Sequence, residues 1–172
     1  MRLFVPKQAT GANLVYFDVF NAATSGIIVN LLRLEPIASG AAAHTGVLSV
    51  DLHLTATTAV GTGGTAMTVN GTALDAMTIT GQSTKYGAVP PGITGRLTPS
   101  GGGTAGKSYA WTTIFTEETG AGTYARGNDM VHMETFGPII ITPGFGFRVV
   151  QGAIAATGNI GFNADLEFVQ AS

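Results

Sequence analysis

The run Gly101-Gly102-Gly103-Thr104-Ala105-Gly106-Lys107-Ser108 satisfies, position by position, the G-x-x-x-x-G-K-[ST] pattern of a phosphate-cradling loop. That chemistry needs a buried strand before the loop and a helix opening at the lysine, so that backbone N–H groups and the helix dipole converge on the phosphates. The flanks read otherwise. Gly95-Arg96-Leu97-Thr98-Pro99 is turn-rich, and Tyr109-Ala110-Trp111-Thr112-Thr113-Ile114-Phe115 is aromatic and β-branched, which is strand chemistry. With 25 glycines in 172 residues such a match arises easily. Gly101, Lys107 and Ser108 are therefore read as parts of a loop, and no nucleotide or other cofactor is expected.

A metal centre is the next chemistry to weigh. Asp51 and His53 share one face of a strand pattern, and His132 and Glu134 share one face of another. On adjacent strands these four would supply the nitrogen and oxygen ligands that a divalent metal takes. Polar residues alternating outward from a half-solvated strand are the simpler reading, and no metal is expected. Serine chemistry has no G-x-S-x-G elbow to rest on. Glu117 and Glu118 are neighbours, and on an extended chain neighbours point opposite ways, so they do not pair as acid and base. Tyr86, Tyr124 and Phe136 lie near turns, where aromatic side chains stack on a sugar or a protein partner. Together with Arg2 and Lys7 they are the expected partner contacts.

The elements that would position these residues alternate at period two. Strand patterns run over Leu14–Phe20, Gly26–Ile37, Val47–Ala56, Tyr109–Phe115, Met130–Phe136, Pro138–Thr142, Phe145–Val150 and Ile160–Val169. Leu48, Val50, Leu52 and Leu54 fall on one face of their run, with Ser49, Asp51 and His53 on the other. Ile160, Phe162, Ala164, Leu166 and Phe168 do the same in the last run. Asn70-Gly71 suits a type I′ hairpin turn. Clusters at Gly61–Gly64, Pro90–Gly92, Gly101–Gly103 and Gly120–Gly122 break the runs. The expectation is an all-β chain: an antiparallel two-sheet sandwich, jelly-roll-like, with an immunoglobulin-like sandwich as the rival. Residues 12–172 read as one domain. Residues 1–11 read either as an arm reaching a neighbouring subunit or as an edge strand of the same domain.

Only 10% of the residues are Asp, Glu, Lys or Arg, against roughly a quarter in an ordinary soluble domain. Gly, Thr and Ala replace them, leaving a neutral surface of small side chains that suits a protein packed against neighbours. A formal charge of −2 with scattered cations gives no basic stripe for nucleic acid. No apolar run is long enough to span a bilayer, and Met1-Arg2-Leu3-Phe4-Val5-Pro6-Lys7 lacks the apolar region of an export signal. The expectation is synthesis in a host cytoplasm, with no membrane partner. Cysteine is absent, so disulfides and thiolate metal sites do not arise.

The opening run Leu14-Val15-Tyr16-Phe17-Asp18-Val19-Phe20-Asn21-Ala22-Ala23, the Gly/Thr/Ala loops at 55–66 and 98–107, and the closing Gly146-Phe147-Arg148-Val149-Val150-Gln151-Gly152 with Gly158-Asn159-Ile160-Gly161-Phe162 carry a resemblance. In texture the chain resembles the small jelly-roll proteins that tailed bacteriophages add to their virions, the capsid cement or decoration proteins. The resemblance implies a non-enzymatic virion protein that binds the major capsid protein from outside, as a homotrimer, and stabilises the shell. Three other readings stay open: a tail, fibre or baseplate module, a carbohydrate-binding sandwich, and a cupin-like metal enzyme. Thr142-Pro143-Gly144-Phe145-Gly146-Phe147-Arg148 resembles the second cupin motif, but Phe145 or Phe147 stands where that motif has a histidine, and no His-x-His occurs.

Overall fold

A computed structural model of the protein describes residues 2–39, 48–67, 89–102, 105–116, 124–126, 129–154 and 158–172. The strands in chain order are β1 (Arg2–Ala9), β2 (Val15–Asn21), β3 (Ile27–Ser39), β4 (Leu48–Thr57), β5 (Gly61–Thr62), β6 (Thr65–Ala66) and β7 (Ile93–Leu97). After these come β8 (Gly101–Gly102), β9 (Ala105–Thr116), β10 (Tyr124–Arg126), β11 (Val131–His132), β12 (Ile139–Ile141), β13 (Gly146–Gln151) and β14 (Asn159–Gln170), with one helical turn, α1 (Met133–Phe136), between β11 and β12.

Two antiparallel sheets pack face to face, as the alternation predicts. The first runs β1-β14-β3, and the far edge of β3 is lined end to end by β10, β11 and β12. The second runs β6-β7-β2-β13-β4-β9, and β5 pairs β8 in a separate ribbon. Their inner faces bury Leu3, Val5, Val29, Leu31, Leu34, Ile160, Phe162, Ala164 and Leu166 from the first sheet against Phe17, Val19, Val50, Leu52, Leu54, Phe147 and Val149 from the second. Burying such side chains is the main force holding a sandwich closed, roughly 1.5–3 kcal/mol for each large one.

The first residues are an edge strand rather than an arm: β1 pairs β14 from Arg2 opposite Asp165 to Ala9 opposite Asn159, with Leu3 and Val5 fully buried. The last strand, β14, is internal, between β1 and β3. The run Met130–Phe136, read as one strand, is instead β11 followed by α1. Met133 and Glu134 are good helix formers, and Gly137, at φ 72, returns its N–H to the Met133 carbonyl before Pro138 forbids another turn. The turn-rich reading of Gly95–Pro99 also gives way, because Ile93, Gly95 and Leu97 alternate inward as β7. The fit at Gly95 is close: a Cβ would stand 3.1 Å from the Met67 methyl and 3.3 Å from the Asp18 carbonyl oxygen. The Asn70-Gly71 hairpin lies outside the described residues.

Candidate functional site

Pairing along the first sheet sets four strands in register through one row: Arg2 of β1 faces Asp165 of β14, which faces Arg33 of β3, which faces His132 of β11. A β-bulge makes this row possible. Asp165 lies opposite Arg33 and Leu166 opposite Leu31, leaving Leu32 as the extra residue of β3. The bulge switches the strand's parity, so that Leu31 and Leu34 both point into the core while Arg33 and Glu35 stand on the outer face.

The row is bound together by charge. Arg2 donates from Nε to Asp165 Oδ1 at 2.8 Å and from Nη2 to Oδ2 at 3.0 Å, a two-point contact that fixes the carboxylate plane. Arg33 donates from Nε to Asp129 Oδ2 at 3.0 Å and sets Nη2 3.3 Å from Glu35 Oε2. The bond to Asp129 is the chief cause that holds the Arg33 guanidinium more firmly protonated than usual. Asn163 donates to Glu35 and Asn30 to Glu167, extending the network to the neighbouring rows. Over the row lies a concavity of about 380 Å³, lined by Arg2, Leu32, Arg33, His132, Met133, Glu134, Asp165 and Leu166. Phe4, 51% exposed, and Ile140, 60% exposed, sit in the rows on either side, opposite Asn163 and Asn30 respectively, with Met133 and Val169 also exposed.

Asp165, which lines the concavity, and Glu35 beside it are each held by a guanidinium, and a general base needs a carboxylate free to take a proton; Glu134 lines the concavity as well. The His132 ring has Nδ1 3.4 Å from the Thr135 hydroxyl. A second hollow of about 500 Å³ opens beside it, lined by Tyr109, Ala110, Asp129, Met130, Val131, Gly137, Pro138 and Ile139. Burial pushes the Tyr109 phenol above its ordinary range, so it offers a neutral hydroxyl there.

Of the residues singled out in the sequence, the first sheet brings Arg2, His132 and Glu134 together around the concavity. Asp51 and His53 do not join them. They lie on β4, whose neighbours in the second sheet are β13 and β9, so the four candidate ligands are split between the two sheets. Among the described residues no three His, Asp or Glu side chains are grouped to hold a metal ion. Lys7 packs its Cγ over Gly161, where a Cβ would meet it at 3.1 Å. Tyr124 lies in β10 and Phe136 ends α1, while Tyr86 and the Glu117-Glu118 pair are outside the described residues. Arg33, Asp165, Asp129 and Leu32 were missed. The one signal in the sequence was the break in alternation at Leu31-Leu32-Arg33, which marks the bulge of β3 but does not point to Asp165 or Asp129.

The phosphate-loop match resolves into strands. Gly101 and Gly102 form β8 against Thr62 and Gly61, and β9 runs from Ala105 through Lys107 and Ser108. Among the described residues no helix dipole is aimed at this stretch. Lys107→Ala is expected to leave the thermal midpoint within about 2 °C of wild type if the lysine serves no phosphate site. Neither protein should bind ATP in a calorimetric titration, and an affinity present in wild type and lost in the variant would overturn this reading. Among the described residues no helix is long and apolar enough to cross a membrane. Comparison of the chain with models of known families, with characterised proteins and with solved structures gives no match.

Proposed function

We propose that this protein is a non-enzymatic structural component of a phage virion, a cement protein that docks on the outer capsid surface as a homotrimer and stabilises the shell. The observation that carries the reading is the outer face of the first sheet. Its arginines are already matched within the chain, Arg2 to Asp165 and Arg33 to Asp129 and Glu35, while apolar side chains stand out around them. A surface of this kind presents apolar area to a partner without presenting unmatched charge, whose burial is costly. The scarcity of charge elsewhere in the chain supports the same role, since small neutral side chains lose little entropy when immobilised. Many such contacts, repeated by symmetry, give avidity without a deep pocket.

The test is co-sedimentation of the purified protein with phage capsids lacking it, with capsid melting followed by calorimetry. Saturable binding and a raised capsid melting temperature are expected, and Ile140→Asp is expected to weaken binding at least tenfold while the protein stays folded. Ile140 is exposed, so the variant probes the surface and not the core. Binding to tails with no affinity for capsids would overturn the capsid assignment. Unchanged binding by Ile140→Asp would remove this face from the interface.

A further inference from the structure

Asp18 is a carboxylate in the wrong place for a charge. It lies in the middle of β2, 4% exposed, on the outer side of the second sheet, directly opposite Arg96 of β7 and Arg148 of β13. The ribbon of β5 and β8 covers it. The backbone N–H groups of Gly61 and Arg96 both donate to its carboxyl, and a Cβ on Gly61 would stand only 1.8 Å from Oδ2, so glycine is the residue that lets the ribbon come this close. A second tether lies alongside, with Arg96 Nη1 donating to the Gly63 carbonyl at 2.7 Å. Gly63 and Gly64 follow at φ 68 and φ 60, a left-handed bend that turns the chain back toward β6.

We propose that the β5–β8 ribbon is a flap latched to the second sheet through Asp18, tight while the carboxyl is protonated and loosened when it ionises. The physical reason is desolvation. An ionised carboxylate under the ribbon loses its water, and the two N–H groups and the flanking guanidiniums return only part of that loss. Burial, the largest influence, accordingly raises the carboxyl above its ordinary range, while the bonds from Arg96 and Gly61 and the charges of Arg96 and Arg148 oppose the shift. The sign follows from linkage. The closed flap binds the proton more tightly than the open one, so opening increases as the pH rises from the ordinary carboxylate range through Asp18's own higher midpoint, and is level above it.

Other groups could titrate nearby. Arg96 and Arg148 keep their charge throughout. From β4, Thr55 lies opposite Arg148, and His53 and Asp51 lie farther along the same face beside Gly152. From β9, Lys107 belongs to the register shift beside Thr57. The ribbon itself contributes none, since 60–64 and 99–102 contain no titratable side chain.

Native-state hydrogen exchange on the full chain, from pH about 4 to about 8, tests the latch across the range where an Asp shifted upward from 3.9 titrates. The reporters are the Gly61 amide and the Ser100 amide, which donates to the Thr62 carbonyl at 3.0 Å. After correction for intrinsic exchange, wild-type opening is expected to rise with pH by tenfold for each unit separating the closed from the open ionisation constant. Asp18→Asn should hold the flap at one level across the range, and His53→Gln should leave the wild-type rise intact. Gly61→Ala should expose both amides at every pH, because the added methyl has no room. A wild-type profile as flat as that of Asp18→Asn would overturn the proposal, as would a rise abolished by His53→Gln.

Discussion

Phe162→Ala is expected to cost about 3–5 kcal/mol of folding stability, because it removes a fully buried ring. Phe162 stands on β14 in the first sheet and meets two rings of β2 in the second. Its centroid is 5.3 Å from that of Tyr16, inclined at 60°, and 5.4 Å from that of Phe17 at 52°. Phe17 in turn meets Phe147 edge-on, at 5.9 Å and 87°. These tilted geometries set ring edges against ring faces and add about 0.5–1.5 kcal/mol per pair beyond the area buried. For a domain of this size the predicted loss lowers the thermal midpoint by roughly 6–20 °C, measurable by circular dichroism or urea unfolding. Phe162→Leu should lose less, since it refills most of the space. A Phe162→Ala midpoint within about 2 °C of wild type would mean that the sheets are not joined through these rings.

Gln151→Leu is expected to be nearly as damaging, for a different reason. Gln151 is buried at the end of β13, where Oε1 accepts from the Tyr16 hydroxyl at 2.7 Å and from the Gly11 N–H at 2.9 Å, while Nε2 donates to the Ile154 carbonyl at 2.9 Å. One amide thus satisfies groups from three separate segments. Leucine has similar volume but strands all of them, and each buried group left without a partner costs about 1–3 kcal/mol. A loss of about 2–4 kcal/mol is expected, less than the sum because Gly11 and Ile154 can reach water. Removing the Tyr16 hydroxyl in the same background separates the causes. Tyr16→Phe added to Gln151→Leu should restore part of the loss, whereas strict additivity of the two changes in urea unfolding would show that the pair is not coupled.

Strand positions were legible because β4 and β14 obey the two-residue period without interruption. Val50, Leu52 and Leu54, and Ile160, Phe162, Ala164 and Leu166, are all buried on the side their alternation assigns. The period misled where a bulge intervenes. Tyr16 and Phe17 are adjacent and both buried, because Val149 lies opposite Phe17 and Val150 opposite Val15, leaving Tyr16 as the extra residue of β2. The alternation of residues 15–17 does not announce the bulge, which shows only when β13 is laid beside β2. The candidate site was legible only in pieces. His132 and Glu134 were picked out as a pair on one strand face and Arg2 by itself, but the meeting of all three depends on strand order, which alternation does not encode. Arg33 and Asp165 are ordinary outward-facing charges until β1, β14, β3 and β11 are laid side by side.

The place of β14 between β1 and β3 also governs the order in which the molecule can be made. Arg2 waits for Asp165, and Leu3 and Val5 have no sheet neighbour until residues 159–170 leave the ribosome. Nor can β3 complete its longer pairing, from Ile27 opposite Gln170 to Ser39 opposite Asn159, before then. A nascent chain must therefore carry β1 unpaired, and β3 with one edge open, until β14 has been made. Sheets built from such distant partners close slowly, in milliseconds to seconds, and are vulnerable to aggregation while they wait. Yield during rapid synthesis should accordingly depend on temperature and on chaperones that shield the strands made first.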